Sequence, residues 1–373
     1  MVLPDTDALK RKQSQALFRF GVLCAIAIIA SLTWPMEKTE KSNDCSTMMS
    51  SLKPQTSVPD PPEAVPASAT TTTIDLEAEF QELHRLVGVN VEYVNQFALT
   101  GNTEYLNLRR ELEKILKLDM GKDELQQLVN LYEWRSLFPP NQYNVSQRFM
   151  FGQPPVPLFQ DGRVAWVNAM MENGFNGKTV LEYGPLEGAH LYMAATYGAK
   201  SILGVEGHGQ SFLKCLITKK IFGLDQVTVI HDDLNAVSEA LIAKGQKFDF
   251  IMGAGVLYHM IEPWKTLHNM ARLGNSMHIW TQYFHPEVKT IQRFVQNVTM
   301  EYDGFTFVGA AQDYGEYRGA STFYGGAEQH SVWLTLETIV GYLQTKGFTV
   351  HMNEALSSKD HPNGPAVTLF ATL

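Results

Sequence analysis

The sequence predicts an α/β fold: a mainly parallel sheet covered by helices on both faces. Two observations carry this expectation. From Gly177 onward, short β-rich runs alternate with stretches of helical periodicity. Three consecutive runs then end in acids that lead into a turn or a helix start. Strands that alternate with helices need right-handed crossovers. These place the strand C-terminal ends, and the ligand crevice, along one edge of the sheet.

The runs are Thr179–Tyr183, Ser201–Glu206, Val227–His231, Phe248–Gly253, Met277–Tyr283, Phe348–Asn353 and Ala366–Ala371. Between the second and third, Phe212, Leu213, Leu216 and Ile217 have helical spacing, and Gly223 marks the helix end. Ahead of the sheet, residues 74–150 read as a small helical region. Leu83, Leu86 and Val87 recur at helical spacing, as do Leu112, Ile115 and Leu116. Pro139, Pro140, Pro154, Pro155 and Pro157 mark an irregular junction to the domain at 151–373. Residues 36–73 are rich in Ser, Thr, Pro and Lys and hold almost no large apolar side chains. Such a segment cannot offset the entropy cost of ordering and reads as a stalk.

After an N-terminal tail (1–19), the segment 20–35 is expected to cross a membrane once as a signal anchor. Phe20 to Trp34 carries no charge, Pro35 closes it, and Lys10, Arg11, Lys12 and Arg19 precede it. The run is shorter than the roughly 20 apolar residues of a usual span. A cleaved signal peptide and a buried soluble helix therefore stand as alternatives. The basic cluster favours a cytosolic N-terminus, but Lys38, Lys41 and Lys53 on the other side weaken that bias, so orientation stays open.

The formal net charge is −9 over 373 residues. Nucleic-acid binders need a surplus of Lys and Arg to displace counterions, so a general nucleic-acid partner is disfavoured. Cys24, Cys45 and Cys215 are scattered without a C-x-x-C pair, which supports neither a zinc site nor a disulfide framework.

The first run leads directly into Glu182-Tyr183-Gly184-Pro185-Leu186-Glu187-Gly188. Gly184 and Gly188 permit a tight turn and close approach of a ligand to backbone, and the helix that follows offers free N–H groups at its start. An ordinary strand-to-helix turn would also favour these glycines. Glu206, at the end of the second run, is placed to accept hydrogen bonds from ribose hydroxyls. The third run leads into Asp232-Asp233, and an acid there can meet an adenine amino group, although two adjacent acids also suit a turn.

The stretches VLEYGPLEG, GVEGH, IHDD and FDFIMGAGVLYHM, in this order, resemble the motifs of class I S-adenosylmethionine-dependent methyltransferases over about Gly162 to Leu373. The resemblance implies a Rossmann-like, seven-stranded sheet with its last strand antiparallel. It implies that Glu182 and Gly184 lie beside the methionine moiety of S-adenosylmethionine, Glu206 at the ribose and Asp233 near the adenine. Gly255 to His259 with Pro263 is similar to the tRNA wobble-uridine carboxymethyltransferase branch. The chain departs from the common pattern at Pro185 and Leu186, where many members carry another glycine. Two rival readings stand beside this one. A nicotinamide-dependent oxidoreductase needs G-x-G-x-x-G, whose second glycine is missing here. A catalytically silent membrane scaffold that keeps the fold is opposed by the three retained acids.

Methyl transfer from a sulfonium needs alignment and exclusion of water, with a base for an oxygen nucleophile. His259 is the candidate base and Tyr258 the candidate orienting group. The insertion from about His285 to Ser331 holds Tyr302, Tyr314, Tyr317, Arg318, Tyr324 and His330 among six glycines. Its Tyr317, Arg318 and Tyr324 suit a substrate lid. No metal constellation is evident. The expected acceptor is a small molecule, a lipid or a sugar rather than tRNA. Plain methyl transfer is expected over carboxymethyl transfer, because Met260 stands where the similar branch commonly has arginine.

Overall fold

The computed structural model describes residues 121–149, 154–288, 293–314, 330–361 and 363–373. The expected tail, anchor (20–35) and stalk, and the helical region up to residue 120, lie outside these. Among the described residues no helix is long and apolar enough to cross a membrane.

The described chain opens with helix α1 (Lys122–Leu131) and two short strands, β1 (Glu133–Trp134) and β2 (Arg148–Phe149), paired in parallel. Helix α2 (Gly162–Met170) follows. The main sheet alternates with helices as expected: β3 (Thr179–Tyr183), α3 (Ala189–Thr196), β4 (Ser201–Glu206), α4 (Gly209–Phe222), β5 (Val227–His231), α5 (Leu234–Ala243), β6 (Phe250–Ala254), α6 (Pro263–Leu273) and β7 (Ser276–Gln282). Three strands then come in succession, β8 (Phe294–Tyr302), β9 (Phe305–Asp313) and β10 (His330–Leu334). Helix α7 (Leu336–Thr345), β11 (Thr349–Met352) and β12 (Ala366–Thr372) complete the chain.

The seven-stranded sheet has the order β11-β12-β7-β6-β3-β4-β5, and only β12 runs against the rest. This is the Rossmann-like arrangement with a reversed last strand that the motifs imply. Strand order changes direction between β3 and β6, which opens the crevice at their C-terminal ends.

Neighbouring residues on each strand serve opposite cores. Val180 faces a cluster with α1, α2, α3 and α4, while Leu181 faces one with α5, α6 and α7. Strands buried on both faces read as nearly unbroken apolar runs, which is why these were visible in the sequence.

The insertion after β7, expected to hold a substrate lid, contains regular strands. Its described part is a three-stranded antiparallel sheet, β10-β9-β8, with the β8–β9 turn at Asp303-Gly304, both at positive φ. Residues 315–329, with Tyr317, Arg318 and Tyr324, lie outside the described residues.

Trp134, fully buried, carries the N-terminal segment into the first core. Its ring meets Phe138 at 4.6 Å and its Nε1 donates to the Val129 carbonyl at 2.9 Å. Trp134→Ala is expected to cost about 3–5 kcal/mol in urea unfolding, the scale for truncating a buried aromatic. A loss below about 1 kcal/mol would show residues 121–149 to be dispensable to the core.

Candidate functional site

The loop from β3 to α3 lines the crevice. Gly184, Leu186 and Gly188 all take left-handed φ, of 61°, 56° and 78°. At Gly184 an added Cβ would stand 2.8 Å from the Val256 side chain, so the loop and the β6 end approach too closely for any other residue. Leucine in this conformation costs roughly 1–2 kcal/mol, so its surroundings must impose it. They do so from several directions. The Leu186 N–H donates to Glu206 Oε2 at 2.9 Å. From α4, Cys215 Sγ donates to the Leu186 carbonyl and Thr218 Oγ1 to the Glu187 carbonyl.

Glu187 is a structural residue that sequence reasoning passed over. It is almost completely buried and accepts from the backbone N–H of Arg135 (2.6 Å) and Ser136 (3.1 Å), from Ser136 Oγ (2.8 Å) and from Lys214 Nζ (3.2 Å). Its partners lie 51 residues back and 27 ahead, and no local pattern announces them.

Glu182 is buried at the end of β3. Its Oε1 lies 3.2 Å from His190 Nδ1 on α3, and its Oε2 has no hydrogen-bond partner among the described residues. His190 Nε2 donates to Asp161 Oδ2 at 3.0 Å, and Arg163 grips the same carboxylate through Nε and Nη2. The Arg163 guanidinium lies 4.6 Å from the centre of the Trp280 ring on β7. Burial pushes Glu182 above the ordinary carboxylate range, with His190 pulling it back. Burial works against charge on His190, but its bonds to Asp161 and Glu182 outweigh that and lift it to about 9. Burial also opposes charge on Asp161, yet Arg163 and His190 hold it well below the usual carboxylate value.

Glu206 ends β4. Its Oε2 accepts from Leu186 and its Oε1 from the His208 N–H at 2.9 Å. Burial raises it to about 7, against these two donors. A carboxylate offers about four acceptor positions, of which the described donors fill two. Beside it, His231 stacks on Phe212 and lies with Nδ1 2.9 Å from the Glu206 carbonyl. Asp233 follows β5, but its side chain caps α5, accepting from the Ala236 N–H at 2.8 Å. Asp232 is buried, accepts from the Asp233 N–H, and is raised to about 6 by burial.

Across the crevice, a 3-10 turn (Leu257–His259) after β6 carries Tyr258 and His259. Tyr258 sits edge-on to Trp280 and Trp333, and burial raises its phenol. His259 Nδ1 lies 2.8 Å from the Tyr314 hydroxyl at the end of β9, and burial lowers it to about 4. The structure therefore brings Glu182, Gly184, Gly188 and Glu206 to one edge, with Tyr258 and His259 on the adjoining wall. Among the described residues no group of three His, Cys, Asp or Glu could hold a metal.

Glu187→Ala would strand Lys214 in the interior and orphan two N–H groups. It is expected to cost about 3–5 kcal/mol, and the double change with Lys214→Ala to cost less than the sum of the singles. Additive losses in denaturant titrations would show that the pair is not coupled.

No protein-family model matches the chain, and no curated protein sequence does. Solved structures are similar to it in backbone. The N-terminal domain of EvdMO1, crystallised with SAH and D-fucose, has 22% identity and a TM-score of 0.48, covering 68% of this chain and 97% of that one. An S-adenosylmethionine-dependent methyltransferase from Mesorhizobium loti has 13% identity and a TM-score of 0.40, covering 58% of this chain and 100% of its own. Magnesium protoporphyrin IX methyltransferase from Synechocystis, with bound SAM, has 16% identity and a TM-score of 0.35, covering 56% and 75%.

Proposed function

We propose that this chain transfers a methyl group from S-adenosylmethionine to a small-molecule, lipid or sugar acceptor. The observation that carries this is the set of buried acids at the C-terminal ends of adjacent strands β3, β4 and β5, one with an oxygen left without a partner. When bound, S-adenosylmethionine supplies a methyl carbon activated by its sulfonium.

In this reading Glu182 Oε2 accepts from the ammonium of the methionine moiety. Glu206 uses its open positions for the ribose hydroxyls. The His231-Asp232-Asp233 turn meets the adenine. Asp233 is committed to capping α5, so Asp232 is the carboxylate better placed for the amino group. Tyr258 orients the acceptor and His259, held neutral by burial, takes its proton when the nucleophile is an oxygen. The aromatic wall of Tyr258, Trp280 and Trp333 excludes water from the displacement.

The transferred group in this reading is a plain methyl. A carboxylated donor needs a free cation in the crevice, since an unpaired buried carboxylate is costly. Met260 provides none, and the charge of Arg163 is already matched by Asp161. The similarity to the tRNA wobble-uridine branch rests on sequence motifs alone, and the acidic balance argues against a tRNA acceptor. Residues 20–35 anchor the protein to a membrane in the same reading.

Calorimetric titration of the full chain with S-adenosylhomocysteine is expected to show binding, weakened by about 1–3 kcal/mol in Glu206→Ala. Extracts incubated with protein and donor should yield a product heavier by one CH2. Absence of binding overturns the reading, and a salt-sensitive complex with tRNA overturns the choice of acceptor. Separately, the full chain is expected to resist carbonate extraction from membranes, while a chain lacking residues 1–35 is released.

A further inference from the structure

The His190 ring is flanked on both nitrogens by carboxylate oxygens, Glu182 at 3.2 Å and Asp161 at 3.0 Å. A neutral imidazole has one N–H and can serve only one of them. Either the ring carries both protons or one carboxyl does. Asp161 is not that carboxyl. It already accepts from the Arg163 backbone N–H and from its guanidinium. The mobile proton therefore lies along the line from His190 Nδ1 to Glu182 Oε1. The other nearby ring, His278 on β7, turns its Nδ1 to the Leu369 carbonyl at 2.9 Å and is kept neutral by burial, at about 3. With Arg163 and His190 positive and Asp161 and Glu182 negative, the four-residue row is neutral as a whole.

We propose that His190, oriented by Asp161, is a positioning residue that holds the proton Glu182 would otherwise take, so that the open Glu182 oxygen meets a cationic ligand group as a carboxylate. This rests on the reading of the crevice as an S-adenosylmethionine site and adds to it how a deeply buried acid can serve there. Burial alone favours a protonated Glu182, and a cation arriving at Oε2 would then have to expel a proton to solvent. With His190 in place, that proton already rests on Nδ1, and binding exchanges none with solvent. The high affinity of His190 for its second proton agrees with this.

The test compares two ligands on the full chain. S-adenosylhomocysteine carries the ammonium, and 5′-methylthioadenosine keeps the nucleoside without it. Titrations near neutral pH in buffers of different ionisation enthalpy read the protons exchanged. For the wild type, S-adenosylhomocysteine is expected to release close to none. For His190→Gln the expectation is release approaching about one proton, with affinity about tenfold lower and its acid limb moved to higher pH. Asp161→Asn should shift the same quantities in the same direction. In both variants 5′-methylthioadenosine should bind within about twofold of wild type, which also certifies their fold. Release of about one proton by the wild type overturns the inference without any variant. So does equal weakening of both ligands, or an unmoved acid limb in His190→Gln. Wild-type protein that binds neither ligand overturns the cofactor reading itself, and this inference with it.

Discussion

The geometry of the crevice depends on one buried ion pair, Glu187 with Lys214, and on the four donors that converge on its carboxylate. Burying two charges is expensive, and such a pair adds little net stability over apolar side chains of the same size. What it provides here is definition. It fixes the middle of the β3–α3 loop to α4 on one side and to the N-terminal segment on the other. Leu186, one residue before, can then be held in a conformation it does not favour.

Three glutamates, 182, 187 and 206, are buried at the C-terminal edge of the sheet, and each is reconciled with the interior by different means. Glu187 is matched by an ammonium and two backbone N–H groups. Glu206 is served by two backbone N–H groups, with the Lys214 charge acting on it without a hydrogen bond, and burial lifts it to about 7. Glu182 relies on an imidazole that is itself supported by Asp161 and Arg163. The degree of satisfaction orders their roles. The fully bonded acid is structural, and the two with spare acceptor positions are the ones that the proposed function assigns to the ligand.

Much of this architecture was legible beforehand. The runs at Thr179, Ser201 and Val227 coincide with β3, β4 and β5, because strands buried on both faces leave long apolar signatures and their ends carry the polar residues. The β8–β9 hairpin was not read, although Asp303-Gly304 between Tyr302 and Phe305 is a strong turn signal. The glycines around it suggest loop character, and β8 is largely exposed and so lacks a clear apolar stripe. In the site, Glu182 and Glu206 could be named from position in the motif. Asp161, Arg163 and His190 could not, since their association depends on α2 and α3 meeting in space. The role of Asp233 at the head of α5 was foreshadowed by the turn-forming character of Asp232-Asp233.

The placement of β12 has a consequence for the order in which the molecule is assembled. β12 lies between β7 and β11, and the His278–Leu369 contact that joins it to β7 spans 91 residues. During synthesis β7 emerges with an open, apolar edge and keeps it while the hairpin sheet, α7 and β11 are made. Non-local pairings of this kind are slow to form, and an exposed strand edge is a template for misassociation. The nascent chain thus passes through an interval of vulnerability that ends only when residues 366–372 arrive and slot into place.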